Sequence, residues 1–330
     1  MGFGIDLSKV HFKPRGKNSK VAYQWRCFCH RMAPASWLRK RAKTLLDSFE
    51  TRSDQNYILE RVNYYCKLSG TNLVNGEYQL SSMPKAKNNY FRDFFEYSRF
   101  FGGELKVDTA FGDNISVPST PSVTKSRPIT GDNANANCVL CNLDKVRHFT
   151  FLKDKSRFED KANKAIFRAA IYQPHRIDFM EKYFGSEWVD CGDTGSRPIN
   201  SEWKVPLITL YDHLVYKFIL AIEGNDVASN LKWIMSSNSI AVMPKPKYET
   251  WFMEGTLIPN YHYIEIKPDY SDLPERLQYY IDHPEEAKKI IQNAHEYVKQ
   301  FQDKDREDLI HLLVLQKYFS LTNPGQKLMK

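Results

Sequence analysis

Between Lys164 and Ile266 short apolar runs alternate with helical patterns, and this alternation limits the fold more than any other feature of the chain. Lys164-Ala-Ile-Phe-Arg-Ala-Ala-Ile-Tyr172 reads as a strand, and after Gln173-Pro174 comes an amphipathic helix with Ile177, Met180 and Phe184 on one side. Strand and helix then alternate through Val205 to Leu210, Tyr216 to Ile222, Val227 to Met235, Ile240 to Met243 and His262 to Ile266. Parallel βαβ units with right-handed crossovers bury such runs, so a Rossmann-like α/β layer is expected. Helical patterns flank it: Pro34 to Leu68, the aromatic stretch Tyr90 to Tyr97, and three C-terminal segments opening near Ser271, His283 and Arg306. From Gly102 to Val146 the composition turns to Gly, Pro, Ser, Thr and Asn around short apolar runs, which predicts strands and long loops.

Two ordinary domains fit a chain of 330 residues with 42% hydrophobic and 14% aromatic content. No run approaches the roughly 18 apolar residues of a membrane span, and no signal-peptide pattern opens the chain, so a cytosolic protein is expected. The six cysteines show no disulfide framework, and Cys138-Val-Leu-Cys141 lacks the second ligand pair of a zinc site; reduced thiols are expected. Charge is uneven. The net +8 resides in residues 1–50, where eleven lysines and arginines face three carboxylates, while the other 280 residues balance. With Phe12, Tyr23, Trp25, Phe28 and Trp37 interleaved, this head suits an anionic lipid surface; a polyanion partner and a merely solvated arm are the alternatives. The neutral body disfavours nucleic acid.

Glu223-Gly224-Asn225-Asp226 lies where an apolar run gives way to a helical pattern. In open α/β sheets such corners hold ligands, and a helix N-terminus offers free N–H groups to phosphate. The corner lacks both GxGxxG and the Walker A pattern, and an ordinary βα turn reads the same way. Arg168 in its strand and Arg176 near the next helix start could both reach the sheet's carboxyl edge, where forked donors suit a diphosphate leaving group. The only Asp-x-Asp triplet, Asp303-Lys-Asp305, lies in a charged helical segment, so no metal site is expected.

The blocks GNDVASNLKW, SNSIAVMPKP, ETWFMEG, PNYHYIEIKPDYSDL and HPEEAKKIIQNAHEYVKQF resemble the C-terminal part of glycosyltransferase family 90. FRAAIYQPHR, DKVRHFTFLKD and FGDNISVPSTPSVTKSRPI extend the likeness upstream, over residues 108 to 305. The family joins bacterial lipopolysaccharide-modifying transferases, fungal capsule-associated proteins and animal protein O-glucosyltransferases. The resemblance implies a GT-B architecture of two Rossmann-like domains facing a cleft, here with a helical N-terminal extension. It also implies inverting, metal-independent hexose transfer from a UDP-sugar, with no cofactor, to a lipopolysaccharide or other surface-glycan acceptor. The corresponding division is an acceptor domain over 1–160, a nucleotide-sugar domain over 161–305, and a last helix over 306–330 returning to the first. A cytoplasmic protein peripheral on the inner membrane follows as the expected location.

Inversion needs one carboxylate as base, and the family's aspartate shortly before a proline matches Asp113 in Phe111-Gly-Asp-Asn-Ile-Ser-Val-Pro118, with Asp108 and Asp132 as alternatives. Donor binding falls to Arg168, Arg176, Gly224, Asn225, Asp226, Val227, Ala228, Ser229, Asn230 and Lys232. Animal members carry Ser-x-Arg-x-Lys where this chain has Ala228, Asn230 and Lys232, so the helix arginine is missing. Lys125, Arg127, Lys145, Arg147 and His148 are the expected acceptor contacts, with His148 a further candidate base. A phosphotransferase acting on the same glycolipid and a nucleic-acid-binding protein are the rival functions; the first lacks an ATP motif.

Overall fold

A computed structural model of the protein describes residues 16–131 and 133–329. Ser19, whose hydroxyl accepts from the Ala22 N–H, opens helix α1 (Lys20–Met32). Helices α2 (Ala35–Phe49) and α3 (Gln55–Tyr65) divide the expected 34–68 helical region, which breaks at Glu50-Thr-Arg-Ser-Asp54. A first half follows, made of β1 (Tyr78–Gln79), α4 (Asn89–Ser98), β2 (Lys106–Ala110), β3 (Ser122–Thr124), β4 (Ser126–Pro128), β5 (Cys138–Leu140) and the single turn α5 (Lys145–His148). Its sheet runs β1-β2-β3-β5, with β2, β3 and β5 parallel and β1 antiparallel at the edge.

The second half holds β6 (Ala162–Ala169), α6 (Pro174–Tyr183), β7 (Val189–Asp193), α7 (Leu210–His213), β8 (Tyr216–Leu220), α8 (Leu231–Met235), β9 (Ile240–Met243), β10 (Tyr248–Thr250) and β11 (Ile264–Glu265). Helices α9 (Leu273–Asp282), α10 (Pro284–Lys299) and α11 (Lys304–Thr322) end the chain. Five of these strands form a wholly parallel sheet in the order β11-β9-β8-β6-β7. The runs in β8 and β9 are nearly continuous in apolar residues because both faces of a parallel sheet are covered.

Two expectations fail here for local reasons. Val205 to Leu210 is not a strand: Pro206 has no N–H for a ladder, and only Val205 bonds sideways, to the Asp193 carbonyl. The strand is instead Val189-Asp-Cys-Gly-Asp193, disguised by its polar residues. Its Gly192 is required by close approach, since a Cβ there would lie 2.4 Å from Val205 Cγ2. The helix expected from Val227 begins only at Leu231, so Gly224 to Asn230 is a bent loop and its N–H groups are not those of a helix start.

The halves are joined in three ways. β4 and β10 form an antiparallel two-stranded ladder, Ser126 opposite Thr250. Helix α11, apolar on nearly every side, returns to pack on α2, α3, α4 and β2. One core runs from Leu45, Phe94 and Val123 through Leu231, Trp251 and Phe252 to Leu315 and Phe319, while the parallel sheet has a second core of its own. Asp303 and Asp305 serve α11 directly: the Asp303 side chain caps the Arg306 N–H at 3.1 Å. All six cysteines are free thiols; Cys66, Cys138, Cys141 and Cys191 are buried and Cys29 is exposed.

Candidate active site

In the parallel sheet the chain order reverses between β6 and β8, the position at which open α/β sheets leave a crevice at the carboxyl ends of their strands. A cavity of about 910 Å³ opens there, reaching Arg168 on β6 and Ile219 and Leu220 on β8. Its opposite wall comes from the first half and carries Asn89, Tyr90, Asp113, Asp144 and Arg147. A smaller alcove of about 200 Å³ adjoins it beyond β8 and β9, between Glu223, Gly224, Asn225, Val227 and Ala228 on one side and Pro244, Lys245, Tyr248 and Tyr270 on the other. Asn225 borders both spaces.

Asp113 is carried into the cavity by a loop that turns at Gly112, whose φ of 120° is open to glycine and strained for other residues. The loop is pinned by Ser126, whose Oγ accepts from the Asn114 N–H at 3.2 Å and donates to its carbonyl at 3.1 Å. Both carboxylate oxygens of Asp113 are engaged. Oδ1 takes the Lys125 ammonium at 2.6 Å and Arg147 at 3.4 Å, and Oδ2 accepts from Asn225 Nδ2 at 3.3 Å. Partial burial raises the Asp113 pKa, but Lys125, Arg147 and Asn225 together hold it below the usual carboxylate value. It is therefore an ionised acceptor facing the cavity.

Lys125 is buried and lies between two carboxylates, since its Nζ also meets Asp226 Oδ2 at 2.7 Å. Burial and the nearby Asp113 push Asp226 up, against the pull of Lys125. The glycine corner thus delivers Asp226 and Asn225 to the base candidate. Among the alternatives, Asp108 is buried and occupied, with oxygens that accept from the N–H groups of Asn75, Gly76 and Glu77 and from Thr120. Asp132 lies outside the described residues.

The expected donor contacts divide. Asn225, Ser229 and Asn230 line the main cavity, and Gly224, Val227 and Ala228 line the alcove. Arg168 lines the cavity but its guanidinium already meets Asp190, at 2.6 Å to Oδ1 and 2.7 Å to the carbonyl. Arg176 is engaged with backbone, donating to the carbonyls of Glu223, Ala170 and Ile222 at 2.9–3.0 Å, so it clamps the corner from beneath and lines neither space. Lys232 is fully buried against Glu254 at 2.5 Å; Glu254 lines the alcove, whereas Lys232 itself lines neither space.

The expected acceptor contacts divide likewise. Arg147, half exposed, reaches the cavity and pairs with Asp144 at 2.7 Å as well as with Asp113. Lys125 belongs to the carboxylate bridge. Arg127 is fully buried, paired with Glu249 at 2.7 Å and donating to the Tyr64 carbonyl at 2.8 Å, which makes it a fastener of the β4–β10 ladder. Lys145 turns away to Glu96 at 2.9 Å. His148 is buried with neither ring nitrogen hydrogen bonded, and desolvation holds it neutral, well below its usual pKa, so it does not face an acceptor.

The cavity also exposes groups that the sequence did not single out. Tyr90, Thr194 and Trp233 line it, and Lys17 and Lys20 stand at its edge. Glu223, at the alcove, has its pKa pushed up to about 7 by burial, although Oε1 accepts from the N–H groups of Lys247 and Tyr248 at 3.0 and 3.2 Å. Its place beside Gly224 was the available signal. Among the described residues no three His, Cys, Asp or Glu side chains gather as a metal site.

Comparison with known proteins bears directly on this cavity. The model of glycosyl transferase family 90 matches residues 145–326, just over half of the chain, beginning after Asp113 and Lys125. The O-glucosyltransferase LpsA of Dichelobacter nodosus is 38% identical over 297 residues, covering 89% of this chain and 93% of that protein, and so includes the first half as well. Protein O-glucosyltransferase 3 of Homo sapiens is 27% identical over 165 residues, and protein O-glucosyltransferase 2 of Danio rerio 29% identical over 114. These matches cover 48% and 34% of this chain, and 32% and 23% of the animal proteins. A parallel sheet with a crevice at its switch point, and a likeness to O-glucosyltransferases that reaches nearly end to end in the bacterial case, have one explanation: the chain belongs to glycosyl transferase family 90 and is a glycosyltransferase.

Proposed function

We propose that the protein transfers a hexose from a UDP-sugar to a lipopolysaccharide or another surface glycan, with inversion and without a metal, in a GT-B cleft between its two halves. The observation that carries this reading is Asp113, an ionised carboxylate on one wall of a cavity whose other wall is the carboxyl edge of the parallel sheet. The donor enters over Asn225, Ser229 and Asn230, and its nucleotide takes the alcove beside Gly224. The acceptor hydroxyl donates to Asp113; its oxygen forms the new bond to the anomeric carbon as the bond to the diphosphate oxygen breaks on the opposite face, and its proton ends on the carboxylate. Arg168 and Arg147 are the cavity's guanidinium groups; each is paired with a carboxylate and keeps further N–H groups that can answer the leaving diphosphate.

The test is a thermal-shift and hydrolysis panel of UDP-, GDP-, CMP- and ADP-sugars in chelator. A UDP-sugar at about 100 times its dissociation constant adds about 2.7 kcal/mol of stability. Silence toward every UDP-sugar, with turnover of a GDP or CMP donor, replaces the donor assignment; activity only with added divalent cation removes the metal-free chemistry.

A further inference from the structure

Helix α1 has two working faces. One docks on α4: Tyr23 is buried with its hydroxyl donating to Asp93 at 3.0 Å, Arg26 meets Glu96 at 3.5 Å, and the His30 carbonyl accepts from Arg99 at 2.7 Å. The opposite face repeats at four, three and four residues as Val21, Trp25, Phe28 and Met32, and these side chains are 80%, 67%, 47% and 66% exposed. Trp25 stacks on Phe28 with ring centroids 5.7 Å apart, so the apolar row is continuous, and Trp37 at the start of α2 adds a further exposed indole. Water-facing apolar rows of this length mark an interaction surface.

Its chemistry favours lipid. Lys20 and Arg31 on α1, and Arg39 and Lys40 on α2, are exposed, which gives an apolar row with basic neighbours and indoles, the composition of helices that lie in the headgroup region of anionic bilayers. The row also starts at the cleft. Lys17, Asn18 and Lys20 line the edge of the large cavity, and Asn18 is anchored there by donating to the Phe149 carbonyl at 2.9 Å. Leu207, on the other side of the same cavity, is 76% exposed.

We propose that the outer face of α1 seats the enzyme on an anionic lipid surface with the mouth of the cleft against it, so that a lipid-borne acceptor presents its glycan to Asp113 without leaving the membrane. The seating is independent of donor chemistry, whereas the benefit to the acceptor rests on the surface-glycan reading above. Helix α1 then acts as a float: apolar groups sink among acyl chains, basic groups stay at phosphates, and the docked face stays on α4.

The experiment is sedimentation of the full chain with phosphatidylcholine vesicles and with mixed phosphatidylcholine–phosphatidylglycerol vesicles, at low and high salt. Binding is expected only to the mixed vesicles, weakened by salt, and lowered about tenfold or more in Trp25→Ser/Phe28→Ser/Met32→Ser. Donor hydrolysis in that triple variant is expected to stay at the wild-type rate, so loss of vesicle binding is separable from failure of the glycosyltransferase reading. Should the triple variant not fold, Trp25→Ser alone is expected to lose about threefold in vesicle binding. Equal binding to neutral vesicles, unchanged binding by the variants, a dimer in solution that the variants dissolve, or binding to heparin in place of vesicles would each overturn the proposal.

Discussion

Asp113 and its partners set the charge state of the cleft. As the proposed base, Asp113 works only when ionised, so its contribution to kcat/KM is expected to be full above its pKa and lost as pH falls through it; the low pKa keeps that limb on the acid side. Asp113→Asn is expected to retain donor binding and lose transfer by about 10² to 10⁴, measured as product formation with a saturating donor. Lys125→Met removes the ammonium that depresses Asp113, so the acid limb is expected to move to higher pH; an unmoved limb would show that another group titrates there. Glu223 works in the opposite sense. Its folded pKa of about 7 exceeds the ordinary 4.5, so the folded protein holds a proton the unfolded chain has released, and stability falls as pH rises between those values. Glu223→Gln can still accept the two backbone N–H groups, and its Tm is expected to lose that decline, checked by thermal melts from pH 4 to pH 8. At this scale the sequence was uneven. The place of Asp113 on the cavity wall was legible from its family motif, and that of Asn225 from the glycine corner. Arg127 and Lys232 were misread because a charged side chain carries no local sign of a buried partner elsewhere in the chain, Glu249 for Arg127 and Glu254 for Lys232, and His148 because nothing beside it marks a ring buried without a hydrogen bond.

Among the elements, the β4–β10 ladder depends on a buried ion pair. Removing one member of such a pair strands the other in a medium that solvates it poorly, at a cost of about 3–5 kcal/mol. Arg127→Met is expected to lower the unfolding free energy by an amount in that range, measured by denaturant titration, because Glu249 is nearly inaccessible and keeps, among the described residues, only the Tyr64 hydroxyl as partner. Strands with continuous apolar runs, such as Tyr216 to Leu220 and Ile240 to Met243, were readable, as were α9 and α10 from their proline-led starts. β7 was not, since Asp190 and Gly192 serve contacts made in three dimensions: Asp190 holds Arg168 at one end and accepts from Tyr216 at the other. β4 and β10 were equally hidden, being three residues each and stabilised by a partner more than a hundred positions away.

Across the whole molecule, α11 closes the architecture. It lies at the end of the chain yet packs on helices and a strand of the first half, and its buried Glu307 accepts from Trp251 Nε1 at 2.6 Å and pairs with Arg61. Because one core passes through both halves, heating is expected to give a single calorimetric transition, and a chain ending before Lys304 is expected not to fold; two resolved transitions would mean the halves are energetically separate. The sequence conveyed the alternating pattern of the second half, but not the antiparallel ladder that ties the halves beside the cleft.

That tie bears on how the base is governed. Lys125 and Asp113 belong to the first half and Asp226 to the second, so any motion that parts the halves leaves the ammonium with one counter-charge in place of two. The same motion withdraws the Asn225 amide from Asp113 Oδ2, so two contacts of opposite sign reach the carboxylate from the second half: Asn225 depresses its pKa, and Asp226, by sharing Lys125, relaxes it. The charge state of Asp113 is thereby tied to contacts that span both halves. In Asp226→Asn the neutral amide no longer competes, and the acid limb of transfer is expected to move to lower pH, opposite to Lys125→Met.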